Sequence, residues 1–208
     1  MRKIINRPDD FVDEVVETVA LPTVRTMAAE GTPFVGLLYC GLIVTDAGVR
    51  VIEFNARFGD PETQVVLPRL LTPLSGLLYG AATGELGGVP RPEFALDVAV
   101  GVVLASEGYP VAPVTGRALL GLDAASADPE VQILHAATDL QALSADATSS
   151  WATESPVATG GRVLTVVALG STFDEARERA YRAIGSIHLE GGQYRTDIAA
   201  RVAASAAD

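Results

Sequence analysis

The densest chemistry in this chain lies in Glu53-Phe54-Asn55-Ala56-Arg57-Phe58-Gly59-Asp60-Pro61-Glu62. Carboxylates, an amide and a guanidinium follow directly on Val51-Ile52, a run of core type. On a strand, side chains alternate between faces, so Glu53 and Asn55 fall on one face, ~6.5–7 Å apart along the chain. A carboxylate and an amide oxygen at that spacing suit a hard cation such as Mg2+. Such an ion takes oxygen ligands and fills its shell with waters and substrate phosphates. Arg57 follows on that face or in the loop beyond it, where a planar guanidinium can grip a carboxylate or phosphate with two hydrogen bonds. Asp60-Pro61-Glu62 has the pattern of a helix start, with Asp60 as N-cap and Pro61 in the first turn. Backbone N–H groups there would face the same cleft and could take an anion. A plainer reading stands beside this one: Glu53 as a solvated residue on the outer face of a hairpin, and Asp60 as a cap only. Capping and substrate binding do not exclude each other.

The elements that must position these residues follow from pattern. Pro8-Asp9-Asp10 opens a helix, and Phe11, Val15, Val16 and Val19 form its apolar stripe. Pro22 kinks that helix or starts a second one ending near Gly31. Residues 34–45 read as a buried strand, Asp46-Ala47-Gly48 as a turn, and 49–54 as the returning strand of a hairpin. Helices are expected from Pro61 or Glu62 to about Leu71, and from Pro73 to Ala82. The Gly- and Pro-rich stretch 83–92 reads as a linker. It divides the chain into residues 1–88, which carry the polar segment, and 89–208. The second part reads as an α+β unit, with strands at 96–105, near 116–120 and 131–135, and at 162–169, and a helix from Phe173 to Ile187. The run Arg177, Arg179 and Arg182 reads as a solvated helix face, His188 as a residue at a helix end, and Trp151 as a cover over the core. His135 reads as structural and Cys40 as an inert core thiol.

The 208 residues are 49% apolar and 20% charged, which is a core-forming composition and excludes a mostly disordered chain. A formal net charge of −11 argues against nucleic-acid binding and against docking on an anionic membrane. No apolar run reaches the ~18–20 residues of a membrane span, and the N-terminus lacks the apolar region of a secretory signal. Cys40 is the single cysteine, so no intrachain disulfide forms, and a reducing, cytoplasmic setting fits. Lys3 is the single lysine, so lysine-dependent phosphate chemistry has no source beyond it.

The string Glu53-Phe54-Asn55-Ala56-Arg57-Phe58-Gly59-Asp60-Pro61-Glu62-Thr63-Gln64 closely resembles the signature of the phosphoribosylamine–glycine ligases (glycinamide ribonucleotide synthetases), ATP-grasp enzymes of purine biosynthesis. The likeness extends to Leu21-Pro22-Thr23-Val24, Phe34 to Leu42, Gly108-Tyr109-Pro110, His135 to Thr138, Gly160 to Leu164 and Tyr194 to Ile198, in order and spacing. The resemblance implies an α+β fold: the C-terminal lobe of an ATP-grasp domain followed by a small α+β subdomain. It implies a reaction in which ATP phosphorylates the glycine carboxylate and the amine of 5-phosphoribosylamine attacks the acyl phosphate. By position, Glu53 and Asn55 match the family's Mg2+ (or Mn2+) ligands. Arg57 and Asp60 fit catalytic roles, on the glycine carboxylate or acyl phosphate and near the ammonium.

The resemblance covers the family's C-terminal half only. No Gly-rich phosphate loop precedes Glu53, and His135-Ala136-Ala137-Thr138 stands where the family usually has His-Ala-Gly-Thr. One lobe cannot close the ATP clamp, so the isolated chain is expected to show little or no ligase activity. A separate chain carrying the N-terminal half is a candidate partner. The alternative is a non-catalytic remnant or binding module of the same fold. A metal-dependent hydrolase using Glu53, Asp60 and Glu62 ranks last, because no water-activating base is placed for it. An unpaired edge or apolar patch around residues 34–54 is also expected.

Overall fold

The computed structural model describes residues 11–142 and 154–205. The expected helix start at Pro8-Asp9-Asp10, Lys3 and Trp151 lie outside the described residues. Contacts divide the chain into two units: Met1–Thr63 with Leu70–Ala95, and Gln64–Arg69 with Leu96–Asp208.

The first unit begins with α1 (Phe11–Val15), a π-turn over Val16–Ala20 and α2 (Leu21–Ala29). Proline lacks the N–H that a helix interior uses, and its ring crowds the carbonyl four residues back. The chain answers with the widened turn just before Pro22, where the Leu21 N–H reaches the Val16 carbonyl five residues back. The helix therefore continues through Pro22.

Strands β1 (Tyr39–Thr45) and β2 (Gly48–Asn55) form an antiparallel two-stranded sheet. The turn is Asp46-Ala47, and the Thr45 hydroxyl accepts from the Ala47 N–H and donates to the Gly48 carbonyl. The strand starts at Tyr39, later than expected, because Gly36 sits at φ +145, outside extended geometry. Val35, Val51, Ile52 and Phe54 are exposed. The helix expected from Pro61 is shorter and later: α3 spans Thr63–Val66 and tightens into a 3-10 turn at Leu67–Arg69. Pro68 cannot donate to the carbonyl of residue 64. α4 (Leu74–Thr83) ends at Gly84 in the left-handed conformation.

The second unit is built on an antiparallel sheet of β3 (Val98–Ala105), β8 (Arg162–Gly170) and β5 (Val131–His135), in the order β3-β8-β5. Short elements complete it: β4 (Leu119–Leu120), α5 (Leu122–Ala125), β6 (Thr138–Ala142), β7 (Glu154–Ala158), α6 (Phe173–Gly185), β9 (His188–Leu189) and α7 (Ala200–Ser205). Alternation along β8 sends Leu164, Val166 and Ala168 to one face. There they pack with Val100, Val102 and Leu104 against Ala176, Ala180, Ala183 and Ile184 of α6. Small residues on that stripe of α6 bring the helix close to the sheet. The other face of β3 has a slot at Gly101, where a β-carbon would lie 2.9 Å from Val65 Cγ1. That close approach seats the segment Gln64–Arg69 in this unit.

Two expectations need correction. The arginines of α6 are not simply a solvated face. Arg177 donates to the carbonyls of Ile198 and Thr196 and stacks 4.7 Å above the Tyr181 ring. Arg179 donates to the Leu169 carbonyl and pairs with Glu175 at 2.9 Å. Long arginine stems let these guanidinium groups reach backbone carbonyls of neighbouring segments. His188 is not at a helix end; it pairs with Leu120 in a short bridge between strands. His135 Nδ1 meets the Thr138 hydroxyl at 2.9 Å, a local contact between β5 and β6. No helix among the described residues is long and apolar enough to cross a membrane.

Candidate functional site

The β1–β2 register places Glu53 opposite Gly41 and Asn55 opposite Tyr39. Leu42 pairs with Val51, so Ile52 is an extra residue and the strand carries a bulge immediately before Glu53. A bulge adds local twist and re-aims the side chains beyond it. Glu53 and Asn55 lie on one face, and the Asn55 Nδ2 donates to Glu53 Oε1 at 3.2 Å. That bond leaves the amide oxygen and the second carboxylate oxygen as acceptors.

Gly41 is buried beneath Glu53. A β-carbon there would lie 2.9 Å from Glu53 Cγ, 3.3 Å from the Glu53 carbonyl oxygen and 3.5 Å from Tyr39 Cε1. The missing side chain thus lets the glutamate stem cross β1 beside the tyrosine ring. The Tyr39 phenol is held above its ordinary ionisation range, first by burial, then by the negative charge of Glu62 and of Glu53. The Glu62 carboxylate folds back over buried Gly59, where a β-carbon would overlap it. Glu62 Oε1 is buried and accepts no hydrogen bond.

Arg57 is exposed and donates to the neighbouring Phe58 carbonyl at 2.9 Å, not to Glu53 or Asn55. Asp60 is exposed in the turn that follows, and the Asp60-Pro61 peptide bond is cis. The expected capping role of Asp60 is corrected: α3 begins only at Thr63 and is 4 residues long. Pro61 and Glu62 belong to the turn, so no helix N-terminus offers an anion site there. Sequence reasoning missed Tyr39 and Gly41 as neighbours of the site. The signal was available in the hairpin register, which fixes cross-strand partners once the turn is placed. Cys40, on the opposite face of β1, has its thiol pushed up by burial and stays protonated at neutral pH.

The donor set fits a hard divalent cation: oxygen atoms only, acidic, and with no cation among the described residues paired to Glu53. No group of three or more His, Cys, Asp or Glu side chains among the described residues is gathered to hold a metal. A cation here would keep other oxygen ligands, as Mg2+ ordinarily does.

Comparison with known proteins bears on what such a face serves. Residues 4–63 match the family described as phosphoribosylglycinamide synthetase, ATP-grasp (A) domain, and residues 99–201 match the phosphoribosylglycinamide synthetase C domain. A phosphoribosylamine–glycine ligase of Leifsonia xyli is 66% identical over 194 residues, covering 93% of this chain and 44% of that protein. The corresponding protein of Streptomyces coelicolor is 52% identical, with the same coverage of 93% and 44%. A crystal structure of phosphoribosylamine–glycine ligase from Thermotoga maritima superposes with a TM-score of 0.69 at 33% identity, over 93% of this chain and 44% of that one. N5-carboxyaminoimidazole ribonucleotide synthetase from the same organism shares the fold, with a TM-score of 0.51 at 17% identity. The chain thus spans less than half the length of the relatives it matches.

Proposed function

Because the chain belongs to the phosphoribosylamine–glycine ligase family and matches its C-terminal half, we propose that it supplies one face of the active site that joins glycine to 5-phosphoribosylamine. The single observation that carries this reading is the Glu53–Asn55 pair, hydrogen-bonded on one face of the hairpin and embedded in the family signature.

In this reading Glu53 and Asn55 hold Mg2+ or Mn2+ with their remaining oxygens. When bound there, the ion would supply charge neutralisation for phosphoryl transfer. Arg57, exposed and held by one backbone carbonyl, is free to swing its fork onto the glycine carboxylate or the acyl phosphate. Asp60 would take the glycine ammonium. The glycine carboxylate oxygen attacks the γ-phosphorus of ATP and ADP leaves. The amine of phosphoribosylamine then attacks the acyl carbon, phosphate departs, and the amine proton passes to solvent. The reaction belongs in the cytoplasm.

The chain matches only the C-terminal 44% of its relative, so in this reading turnover needs the other half of the family's fold, continuous with this chain or supplied separately. The test mixes this chain with a polypeptide carrying that half, adds glycine, phosphoribosylamine, ATP and Mg2+, and follows ADP release. Turnover on mixing that is lost in Asn55→Ala supports the ligase reading. No turnover from a folded mixture removes it and leaves a binding module of the same fold.

A further inference from the structure

We propose that Val65 is a positioning residue for the proposed ligase reaction: seated in the slot at Gly101, it fixes the end of the loop that carries Arg57 and Asp60. This rests on the proposed function and extends it to a residue that touches neither metal nor substrate.

The loop is held at its ends rather than along its length. It begins after Asn55, which is fixed by its pairing with Tyr39 across the hairpin. Among the described residues the backbone of 56–59 forms no hydrogen bond to another backbone group. The Arg57 guanidinium donates to the Phe58 carbonyl, inside the loop. A segment without a backbone ladder keeps its place through whatever anchors it.

The far end is anchored in a packed interior. Gln64–Arg69 belongs with the three-stranded sheet, whereas the segments on both sides of it belong with the hairpin. Gly101 pairs with Val167 and Val103 with Thr165, so Gly101, Thr165 and Val167 share the sheet face turned away from α6. A β-carbon on Gly101 would meet Val65 Cγ1 at 2.9 Å, Thr165 Cγ2 at 3.5 Å and Val167 Cγ2 at 3.9 Å. Val65 thus takes the place that a side chain at 101 would claim, beside two buried residues of β8. At interior packing density a methyl group in such a slot has little room to move.

The tether between slot and site is short. Only Pro61 to Gln64 separate Asp60 from Val65. Pro61 has a fixed φ and α3 begins at Thr63, so this stretch holds little slack. The Glu62 carboxylate folds back over buried Gly59 and packs the stretch onto the loop. Glu53 and Asn55 are held instead by the hairpin register and by their own hydrogen bond. A shift of Val65 therefore moves Arg57 and Asp60, the groups assigned to glycine, and spares the cation pair. A misplacement of ~1 Å at such groups costs up to ~100-fold in rate.

The experiment is steady-state kinetics of the completed enzyme, this chain together with the polypeptide carrying the other half, with glycine and ATP varied separately. Val65→Ala empties the slot. Val102→Ala is the control, because it removes the same methyl groups from the opposite face of β3, where Val102 is buried against α6. Val65→Ala is expected to raise KM for glycine by about tenfold, with KM for ATP and Mn2+ affinity unchanged. Val102→Ala is expected to lower the melting temperature and leave KM for glycine where it was. Val65→Thr keeps the shape but sets a hydroxyl in the apolar slot, and it is read in the same way if Val65→Ala does not fold. A glycine KM that stays at the Val102→Ala value, or rises no more than that for ATP, overturns this inference and leaves the ligase reading intact. No turnover by the unaltered pair overturns both.

Discussion

Gly41→Ala is the sharpest perturbation of the proposed cation site, because it changes no ligand and no charge. The new β-carbon would sit 2.9 Å from Glu53 Cγ and 3.3 Å from the Glu53 carbonyl oxygen. Ordinary carbon–carbon contact begins near ~3.5 Å, so the stem must retreat by about 0.6 Å. The carboxylate at its end moves further still. Metal–oxygen distances tolerate only ~0.2 Å, so that displacement breaks the ligand geometry. The expected loss is about 10–100-fold in Mn2+ affinity, the scale seen when support for a ligand is removed. Stability should fall by ~0–2.5 kcal/mol. Alanine is favoured over glycine in a strand by ~0.5–1 kcal/mol, which offsets part of an overpacking cost of ~1–3 kcal/mol. The assay is a Mn2+ titration beside a thermal melt. Gly76→Ala serves as control, since a β-carbon there meets nothing within 4 Å. A folded Gly41→Ala chain with wild-type Mn2+ affinity would show that Glu53 is not a ligand placed by this close approach.

Arg57→Ala should leave Mn2+ affinity unchanged, since the guanidinium donates to the Phe58 carbonyl and not to Glu53 or Asn55, yet lower ligase turnover in the completed enzyme. Thr172→Ala removes the side-chain acceptor for the Glu175 N–H at the start of α6, and urea unfolding should register a loss of ~1 kcal/mol. Glu175 ionises below its ordinary range because the Ser171 hydroxyl and N–H donate to its carboxylate. A depressed folded-state value means stability present above the unfolded value of ~4.3 and lost as pH falls through the lower folded one. The stability difference between wild type and Glu175→Gln should therefore shrink below about pH 4, and a pH series of melts that shows no convergence would contradict it. Gly101→Ala puts a β-carbon 2.9 Å from Val65 Cγ1 and should cost ~1–3 kcal/mol by overpacking.

The hairpin was legible because two apolar runs flank a turn of Asp46, Ala47 and Gly48, and period-two alternation then assigns Glu53 and Asn55 one face. The second unit's sheet was legible for the same reason: β3 and β8 are dense in valine and leucine and bounded by glycine and proline. The fold-back of Glu62 over Gly59 was not legible, because it depends on the turn that Asp60-Pro61 makes, and the sequence pattern matched a helix start equally well. Pro22 misled in another way. Local chemistry predicts a kink or a break, whereas one widened turn absorbs the proline and the helix runs on. The arginines of α6 looked solvated because helical period marks only which face avoids the core, not what loop returns to cover it. Their partners, the carbonyls of Thr196 and Ile198, come from a segment with no periodic signal of its own.

The slot at Gly101 has a consequence for how this polypeptide comes apart. Residues 64–69 lie well upstream of the Gly- and Pro-rich stretch, yet Val65 packs into the sheet formed downstream of it. A protease that nicks near Gly87-Gly88 does not liberate two self-sufficient pieces. The upstream fragment carries away a plug belonging to the downstream core, and the downstream fragment keeps an open socket. The two should reassociate as complementing fragments, and the downstream piece expressed alone should bear a solvent-filled groove along β3.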